Sequence, residues 1–512
     1  MLTTLAAPAF AKTWYIENGN ITVKAGKIEG TNKVSQGETT DEKDTDTVIT
    51  NRDKDTASSH TVTINANGKN DKVEVTLKDV NIEANSGHAL TSNGDVTLTL
   101  KGENHLTGGN GGRYGGSGIT SNGSLTITGG ENDSLTAQGG SSADGGSGSY
   151  GGDGIYSSGS LTISGGTVNA TGRDGKDGDG GRGISSSGSV TISGGSTVTA
   201  NGGSGTISGG DGIWSGGGVT ISGGSTVIAN GGNGGSLVGG DGIRSGGGLT
   251  VSDGTVTAKG GNGDSKDGYG GDGIRSGGVV TISGNTVNAA GGYGGKVGGY
   301  GICSFDRVAI SGGTVEAAGG NGSTGGGSGI YSSVIDLSGS LELTAKAGSP
   351  SGRALSQKGS ELVLDTIKDK LGPGAKVTAT DADGKVIDQV STPRPVEPEE
   401  SSSSSDGGSA APSAPASPLP GLTVTDKDGQ RISYTSTQSG NTLTVCVGRF
   451  TASFRISLAA LRQLRAEGIE TITFQTILCS TTLSVDELLA MGGEDAEAVL
   501  THRFTDSSLT VG

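Results

Sequence analysis

The chain has 512 residues, of which 103 are glycine, while apolar residues make up 30% and aromatic residues 3%. It carries 52 acidic and 36 basic residues, a net charge of -16, which argues against nucleic-acid phosphates as partners because such binders need clustered basic residues. No apolar run is long enough to cross a bilayer, so the sequence predicts no membrane span.

The first residues read as the end of a secretory signal peptide. A short apolar run ends in Ala9-Phe10-Ala11, which has the A-x-A form of a signal-peptidase cleavage site. We therefore expect residues 1–11 to be a signal-peptide remnant and the protein to be secreted or attached to the cell surface.

Between residue 12 and about residue 116, strand-like runs such as "TWYIENGNITV", "KVEVTL" and "GDVTLTLKG" follow one another without a fixed spacing. Their alternation of apolar and polar residues predicts β-strands. We expect them to form irregular opening coils, with the acidic segment 37–47 as a surface loop.

From about residue 117 to about residue 340 the chain repeats a motif of the form GGDGI-x-S-G-x-x-V-T-I-S-G-G-x-T-V-x-A at a step of about 29 residues. Fixed periods of this size predict a solenoid. A Gly-Ile pair anchors each repeat, and its isoleucines are Ile119, Ile155, Ile184, Ile213, Ile243, Ile274, Ile302 and Ile330.

Each repeat contains three short runs with period-two alternation: G-I-x-S, V-T-I-S and T-V-x-A. Three strands per coil, each aligned with its equivalent in the next coil, predict an all-β fold, a right-handed parallel β-helix. In one repeat Ile213, Val219, Ile221, Val227 and Ala229 point inwards, which predicts apolar ladders along the inside.

The glycines between the strands predict corners with positive φ. The glycine-rich segments, such as 231–240, would lose much entropy on ordering, so we expect them to be loose.

After about residue 340 the repeat decays into closing coils or a cap that ends near residue 390. Residues 391–421 are rich in Pro, Ser and Glu, which predicts a disordered, extended linker. Residues 422–512 combine strand-like runs with helix-patterned stretches such as "LAALRQLRAEG", so a small α+β domain is expected there, and it could bind a surface partner.

The residue after each anchor isoleucine is expected to point outwards, so these residues form one stripe along the solenoid. Its aromatic and arginine members favour glycan binding, because flat rings stack on sugar faces and guanidinium forks bind hydroxyls or carboxylates. The alternative is an exposed face of ordinary strand-forming residues. The predicted glycan-binding residues are Tyr156, Trp214, Arg244, Arg275 and Tyr331.

An aspartate lies two residues before the anchor in four repeats, and stacked carboxylates of this kind can be bridged by Ca²⁺. The alternative is that these Asp-Gly pairs only form turns. The predicted ladder, called the Asp ladder below, is Asp153, Asp211, Asp241 and Asp272. The segment "GRDGKDGDGGRG" offers Asp174, Asp177 and Asp179 as a second candidate calcium loop, although its spacing does not match an EF-hand.

No nucleophile or metal motif surrounds the four histidines, and no GxSxG, HExxH or P-loop sequence occurs, so we expect a protein that is not an enzyme. One catalytic alternative remains. In a calcium-dependent polysaccharide lyase, carboxylates and a basic residue would act together, as Asp241, Arg244, Asp272 and Arg275 could do.

Over about residues 55–390, the run "VTLKDVNIEANSGHALTSNGDVTLTLKGENHLTGGNGG" and the "GDGI…LTISGGTVNATG" units that follow resemble secreted right-handed β-helix proteins of Gram-positive bacteria, of the carbohydrate-binding-domain or adhesin-like class. The resemblance implies an extracellular location and contact with glycans. In the calcium-dependent cellulose- and pectin-binding members, paired acidic residues precede the anchor, whereas this chain has single aspartates there.

The sequence therefore favours a secreted or surface-associated protein that binds a polysaccharide or a host or cell-wall glycan without catalysis. A different class of function is also open: a structural stalk that presents residues 422–512 to a partner.

Overall fold

The computed structural model describes residues 11–28, 30–66, 68, 71–142 and 148–393, and then 421–425, 431–432, 434–439, 441–447, 452–476, 480–493, 496–502 and 507–511. Residues 1–10 of the predicted signal-peptide remnant and residues 394–420 of the predicted linker lie outside the described residues. The chain divides into two compact units, Met1–Pro398 and Glu399–Gly512.

The first unit is a parallel β-helix, as the repeat predicts. Equivalent strands of successive coils pair in parallel and in register, so that Ile184 lies beside Ile213 and Ile213 beside Ile243. The G-I-x-S strands form stack one: Ile21–Ala25, Val62–Ala66, Leu90–Gly94, Ile119–Asn122, Ile155–Ser157, Ile184–Ser186, Ile213–Ser215, Ile243–Ser245, Ile274–Ser276, the first parts of Ile302–Ile310 and Ile330–Leu337, and Leu355–Gln357.

The V-T-I-S strands form stack two: Ala11–Tyr15, Asp46–Thr50, Val73–Lys78, Val96–Lys101, Leu125–Thr128, Leu161–Ser164, Val190–Ser193, Val219–Ile221, Leu249–Val251, Val280–Ile282 and the second parts of Ile302–Ile310 and Ile330–Leu337. The T-V-x-A strands form stack three, a 12-stranded sheet: Asn81–Glu83, Glu103–Thr107, Ser134–Gln138, Thr167–Thr171, Thr197–Asn201, Ser225–Asn230, Gly254–Lys259, Asn285–Ala290, Gly313–Ala318, Leu341–Lys346, Lys376–Thr380 and Val386–Ser391.

The opening segment is more regular than its sequence suggests, because its strands continue stacks one and two. A 3-10 turn, Ile16–Asn18, follows the first strand. The predicted acidic loop 37–47 is wrong in part, because Thr39–Asp44 is a strand that pairs antiparallel with Asn32–Gln36, which in turn pairs antiparallel with Ile21–Ala25. This antiparallel pairing occupies one edge of the first strand of stack one, which would otherwise offer unpaired backbone groups to another chain.

At the other end, the closing coils reverse direction twice. Ser360–Glu361 pairs antiparallel with Leu355–Gln357, a 3-10 helix spans Leu364–Lys370, and Val386–Ser391 pairs antiparallel with Lys376–Thr380. This arrangement ends the parallel stacking within the closing segment that the decaying repeat predicts.

The inside of the helix holds the predicted apolar ladders. The strands of stack two alternate between buried and less buried residues, and Val190, Ile192, Val219 and Ile221 are all buried. The serine of each G-I-x-S strand also points inwards. Ser215 is fully buried, and its hydroxyl donates to the carbonyl oxygen of Gly188 in the preceding coil at 2.8 Å. Such a bond satisfies a buried polar group and links two coils. The same bond recurs at Ser157, Ser186, Ser245, Ser276 and Ser304.

The glycine-rich segments are ordered, so the expectation that they are loose is wrong. Each runs out from stack three and back to stack one, and together they form what we call the glycine layer: segments 108–116, 139–142 with 148–152, 172–181, 202–210, 231–240, 260–271, 291–299 and 319–327. We call the part of a segment that leaves stack three its outgoing leg and the part that leads back to stack one its returning leg. Outgoing and returning legs alternate along the axis of the solenoid. Gly210 N–H donates to Gly203, Gly232 N–H to Gly210 and Gly240 N–H to Gly232, each at 2.8 Å.

Close approach, more than backbone conformation, explains most of these glycines. A Cβ on Gly240 would lie 1.9 Å from the carbonyl oxygen of Gly210. The glycine of the Asp-Gly pair at Gly242 lacks the predicted positive φ, and a Cβ there would lie 2.6 Å from the carbonyl oxygen of Gly273 in the next coil. Positive φ occurs instead in the Gly-Gly pair after stack two, for example at Gly223 with φ 62°. Only glycine allows the legs to interleave at this distance.

The described residues of the second unit form two four-stranded sheets and two short helices, in agreement with the predicted α+β class. The sheets consist of Leu422–Thr425, Ala452–Ser457, Glu497–His502 and Ser507–Val511, and of Thr435–Ser439, Thr442–Cys446, Thr471–Gln475 and Ser480–Ser484. The helices are Leu458–Ala466 and Val485–Ala490, and Ser457 and Ser484 cap them by accepting a backbone N–H. Phe454 and Phe474 pack in its core.

The glycine layer leads to a stability prediction. Gly240→Ala places a methyl group against the backbone of the neighbouring coil, so we expect it to lower the free energy of unfolding by about 1–3 kcal/mol, as overpacking does. Gly325→Ala is the matched control, because the nearest atoms to its Cβ are side-chain carbons of Val297 at 3.8 Å. Thermal melting followed by circular dichroism measures both. Equal melting temperatures for the two variants would contradict the close-approach explanation.

Candidate functional site

The structure aligns the predicted stripe along stack one. Ser185 pairs in register with Trp214, Trp214 with Arg244 and Arg244 with Arg275, so neighbouring side chains start about 4.8 Å apart. Trp214 and Arg275 are half-buried and Arg244 is exposed. Tyr156 and Tyr331 occupy the same position in other coils and are also half-buried.

The stripe is not a continuous exposed face, contrary to the expectation from alternation. Thr120, Ser185 and Cys303 occupy the same outward position but are buried. Near Cys303, Tyr300 stacks on Tyr331 with ring centroids 5.0 Å apart. Burial raises the pKa of the Cys303 thiol to about 12, so this thiol stays protonated and unreactive.

The returning legs of the glycine layer stand beside stack one, and a groove of about 730 Å³ lies between them. This volume is within the range of ligand sites in proteins. Tyr156, Arg244 and Arg275 line the groove, and Trp214 lies beside it in the same stripe.

Stack one forms one wall of the groove, and the returning legs of the glycine layer form the second. The residues of this second wall were not recognised in the sequence. Its members lie five residues before the anchor isoleucine of each coil, immediately before the Gly-Gly pair: Tyr114, Tyr150, Asp179, Ser208 and Val238. Their fixed offset from the anchor is the signal that could have revealed them. Tyr114 is 62% exposed and Val238 is 40% exposed, so this wall presents apolar surface to the groove.

His88 also lines the groove, at the coil before Ile119, and its Nδ1 accepts the N–H of Ser117 at 2.8 Å. Burial lowers its pKa, which keeps the ring neutral at physiological pH. Its role here is to hold two coils together.

The Asp ladder forms the floor of the groove, and its carboxylates link successive coils. Asp211 Oδ1 accepts the N–H of Asp241 at 2.8 Å, and Asp241 Oδ1 accepts the N–H of Asp272 at 2.7 Å. Asp153 accepts from Arg182 and Asp272 from Tyr300 in the same way. The sequence suggested two roles for these aspartates, turn former or calcium ligand. Neither role predicts the hydrogen bond that each carboxylate accepts from the backbone of the next coil.

Two arginines compensate part of the charge on this floor. Arg182 Nε lies 3.4 Å from Asp211 Oδ2, and Arg275 Nη1 lies 3.4 Å from Asp272 Oδ2. The Arg182 guanidinium also lies 4.4 Å from the centre of the Trp214 ring, a cation–π contact. Both arginines therefore belong to the framework of the groove as well as to its surface.

Burial nevertheless raises the pKa of every carboxyl group of the Asp ladder. The pKa rises to about 6 for Asp153 and Asp272, and for Asp241 burial and the two neighbouring carboxylates raise it well above its usual value. The charged form is disfavoured because water is excluded and like charges are stacked.

Aspartates of the second candidate calcium loop also hold coils together. Asp174 Oδ1 accepts the N–H of Ser204 at 2.7 Å, and Asp179 Oδ1 accepts that of Ser208 at 3.0 Å. Asp177 lies in the same turn, and its carbonyl oxygen accepts the N–H of Gly148. Within the described part of the chain, no group of three or more His, Cys, Asp or Glu side chains is arranged to hold a metal ion.

Comparisons with known proteins add no relative to this picture. The chain matches no protein-family model, no curated protein and no solved structure. In the described ranges, none of the helices is both long and apolar enough to cross a membrane.

The Asp ladder leads to a prediction on pH dependence. Because folding raises the pKa of Asp241, the folded state binds more protons than the unfolded state at pH values between the unfolded-state and the folded-state pKa, and stability falls as pH rises through that window. Asp241→Asn keeps the acceptor for the Asp272 N–H and removes the charge. We expect it to stabilise the protein at pH 7 by about 1–3 kcal/mol, because it removes a buried charge that lies between two like charges.

Melting temperatures between pH 4 and pH 8 measure this effect, and Asp264→Asn, which removes an exposed carboxylate, is the control. A variant Asp241→Asn that melts below the parent at pH 7 would show that the charge is favourable in the folded state.

Calcium binding by the Asp ladder stays a prediction. If the ladder binds Ca²⁺, the ion raises the melting temperature by mass action, and a chelator reverses the rise. Differential scanning calorimetry in Ca²⁺ and in chelator measures this change. Identical melting curves under the two conditions would show that the Asp ladder does not bind Ca²⁺.

Proposed function

We propose that this protein is a non-catalytic polysaccharide-binding protein of the cell exterior, and that the groove beside stack one is its binding surface. The observation that carries the proposal is the alignment of aromatic and arginine side chains on both sides of the groove, with Tyr156, Arg244 and Arg275 on stack one and Tyr114 on the glycine layer.

The chemistry of these walls suits sugars. A sugar ring has an apolar face of C–H groups, which packs on aromatic rings, and a rim of hydroxyls, which accept hydrogen bonds from guanidinium groups. Between the side chains, the walls are glycine backbone, and the absence of Cβ atoms leaves room for a flat ring to approach. A mostly polar groove with a few exposed rings fits a carbohydrate better than an apolar ligand.

The state of the carboxylates supports a binding role over catalysis. A lyase would need carboxylates free to hold Ca²⁺ or to act on the substrate, whereas Asp241 and Asp272 each accept a backbone N–H of the next coil and are about 95% buried. The apolar run before Ala11 and the resemblance to adhesin-like β-helix proteins support secretion or surface attachment.

The stripe provides the direct test. We expect Trp214→Ala and Tyr156→Ala each to weaken capture by insoluble polysaccharides up to about tenfold, since an aromatic contact contributes about 0.5–1.5 kcal/mol. Pulldown on cellulose, xylan, pectin and cell-wall preparations, together with a glycan array, measures the change. Tyr293→Ala is the matched control, because Tyr293 is exposed on the glycine layer and belongs neither to the stripe nor to the lining of the groove. Retention by both stripe variants equal to that of the parent would exclude the stripe as the site.

The stalk alternative is favoured by the division of the chain into two compact units. A chain that ends at residue 393 separates the two functions: it keeps polysaccharide binding if the groove is the site, and it loses all binding if residues 422–512 carry the contact. The lyase alternative requires the protein to release unsaturated uronides, which absorb ultraviolet light, from pectin. An ultraviolet absorbance that stays constant during incubation with pectin would exclude it.

A further inference from the structure

We infer that the groove takes one linear polysaccharide chain laid parallel to the solenoid axis, with its strongest contact at Arg244 and an outer contact at Tyr114. This inference rests on the proposed function and adds the shape, direction and minimum length of the carbohydrate.

The direction follows from which coils line the groove. Its lining begins at His88, in the coil before Ile119, and continues coil by coil to Arg275. These residues occupy seven successive rungs of stack one, so the groove runs along the axis for about 29 Å at the usual spacing between strands. A single sugar ring fills a small part of that length, whereas an extended chain of several sugars fills it.

The far end of the groove is marked by larger side chains on the floor. Tyr300 stands where earlier coils carry the aspartates of the Asp ladder, and it stacks on Tyr331. Both tyrosines lie beyond Arg275, the last residue that lines the groove. A chain in the groove therefore extends from this aromatic pair towards the opening coils.

At the other end, Tyr114 forms a platform. Its ring stacks on that of Tyr150, with centroids 5.1 Å apart and planes 11° from parallel, and the Arg113 guanidinium lies within 6 Å of both rings. Tyr150 covers one face of Tyr114, while 62% of Tyr114 is exposed. A supported ring with an open face is the geometry that stacks on a sugar, because little entropy is lost when it binds.

Near the Arg275 end of the groove, Arg244 is the arginine available to a ligand. Arg182 and Arg275 pair with Asp211 and Asp272, but Arg244 makes no ion pair within 4.0 Å in the part of the chain that is described, and its side chain is exposed. Its five N–H donors face hydroxyl or carboxylate oxygens of a sugar near that end of the bound chain.

The distance between the two contacts makes the inference testable. Tyr114 belongs to the coil of Ile119 and Arg244 to that of Ile243, four rungs apart, which is about 19 Å along the axis. A short oligosaccharide held at Arg244 does not reach Tyr114, but a longer one does.

The experiment measures the affinity of the full chain for xylo-oligosaccharides and for oligogalacturonides, each from the disaccharide to the octasaccharide, by isothermal titration and by Trp214 fluorescence. We expect affinity to rise with length and then level off once the groove is filled. Arg244→Ala weakens all lengths that bind. Tyr114→Ala weakens only the longer oligomers, by up to about tenfold, and Tyr293→Ala changes none of them.

The outcomes separate the inference from the proposed function. Affinity that does not depend on length, or a Tyr114→Ala variant that weakens short and long oligomers equally, overturns the axial chain and leaves polysaccharide binding in place. Absence of binding to every oligosaccharide and to the parent polysaccharides overturns both. Melting temperatures of the variants equal to that of the parent show that the loss is not due to unfolding.

Discussion

Backbone contact between glycines of successive coils is the constraint on which the groove depends. The outgoing and returning legs of each repeat interleave with those of the next, and their N–H and carbonyl groups meet at 2.8 Å where a Cβ would lie 1.9 Å from an oxygen. This contact needs no side chain and so leaves the outer surface free of packing requirements. Because this contact also fixes the returning legs in place beside stack one, it creates the second wall of the groove.

Polar side chains join the coils where the backbone ladders leave gaps. Ser215 and its equivalents bond backwards to the preceding coil from inside the helix, and the Asp ladder bonds forwards to the next coil from the floor of the groove. The serine bond satisfies a buried hydroxyl at little cost. The aspartate bond requires a carboxylate to be buried away from water and beside other carboxylates. The raised pKa values of the ladder reflect the unfavourable free energy of the charged form in this position. Where Arg182 replaces an aspartate, the floor gains a counter-charge and a cation that contacts Trp214.

The sequence predicted the parts of the fold that depend on side-chain alternation. Val219 and Ile221 repeat with period two, burial requires that period, and so the stacks and inner ladders followed. The glycine layer could not be predicted in this way, because glycine shows no alternation and its order depends on contacts between coils. The wall at Tyr114 and Val238 was missed because its residues share a position in the repeat but differ in side-chain type, so no motif marks them. The offset of the Asp ladder from the anchor isoleucines is visible in the sequence, but the bond of each aspartate to the next coil depends on register between coils, which a single repeat does not contain.

Because each coil supplies one residue to each wall and one to the floor, the groove is additive along the chain. Gain or loss of a whole repeat, through unequal recombination within a repetitive gene, lengthens or shortens the groove by one strand spacing and leaves every other contact in its place. Substitution at a wall position changes one contact without touching the ladders inside. The architecture thus lets a lineage adjust the reach and the specificity of its surface independently of the stability of its core.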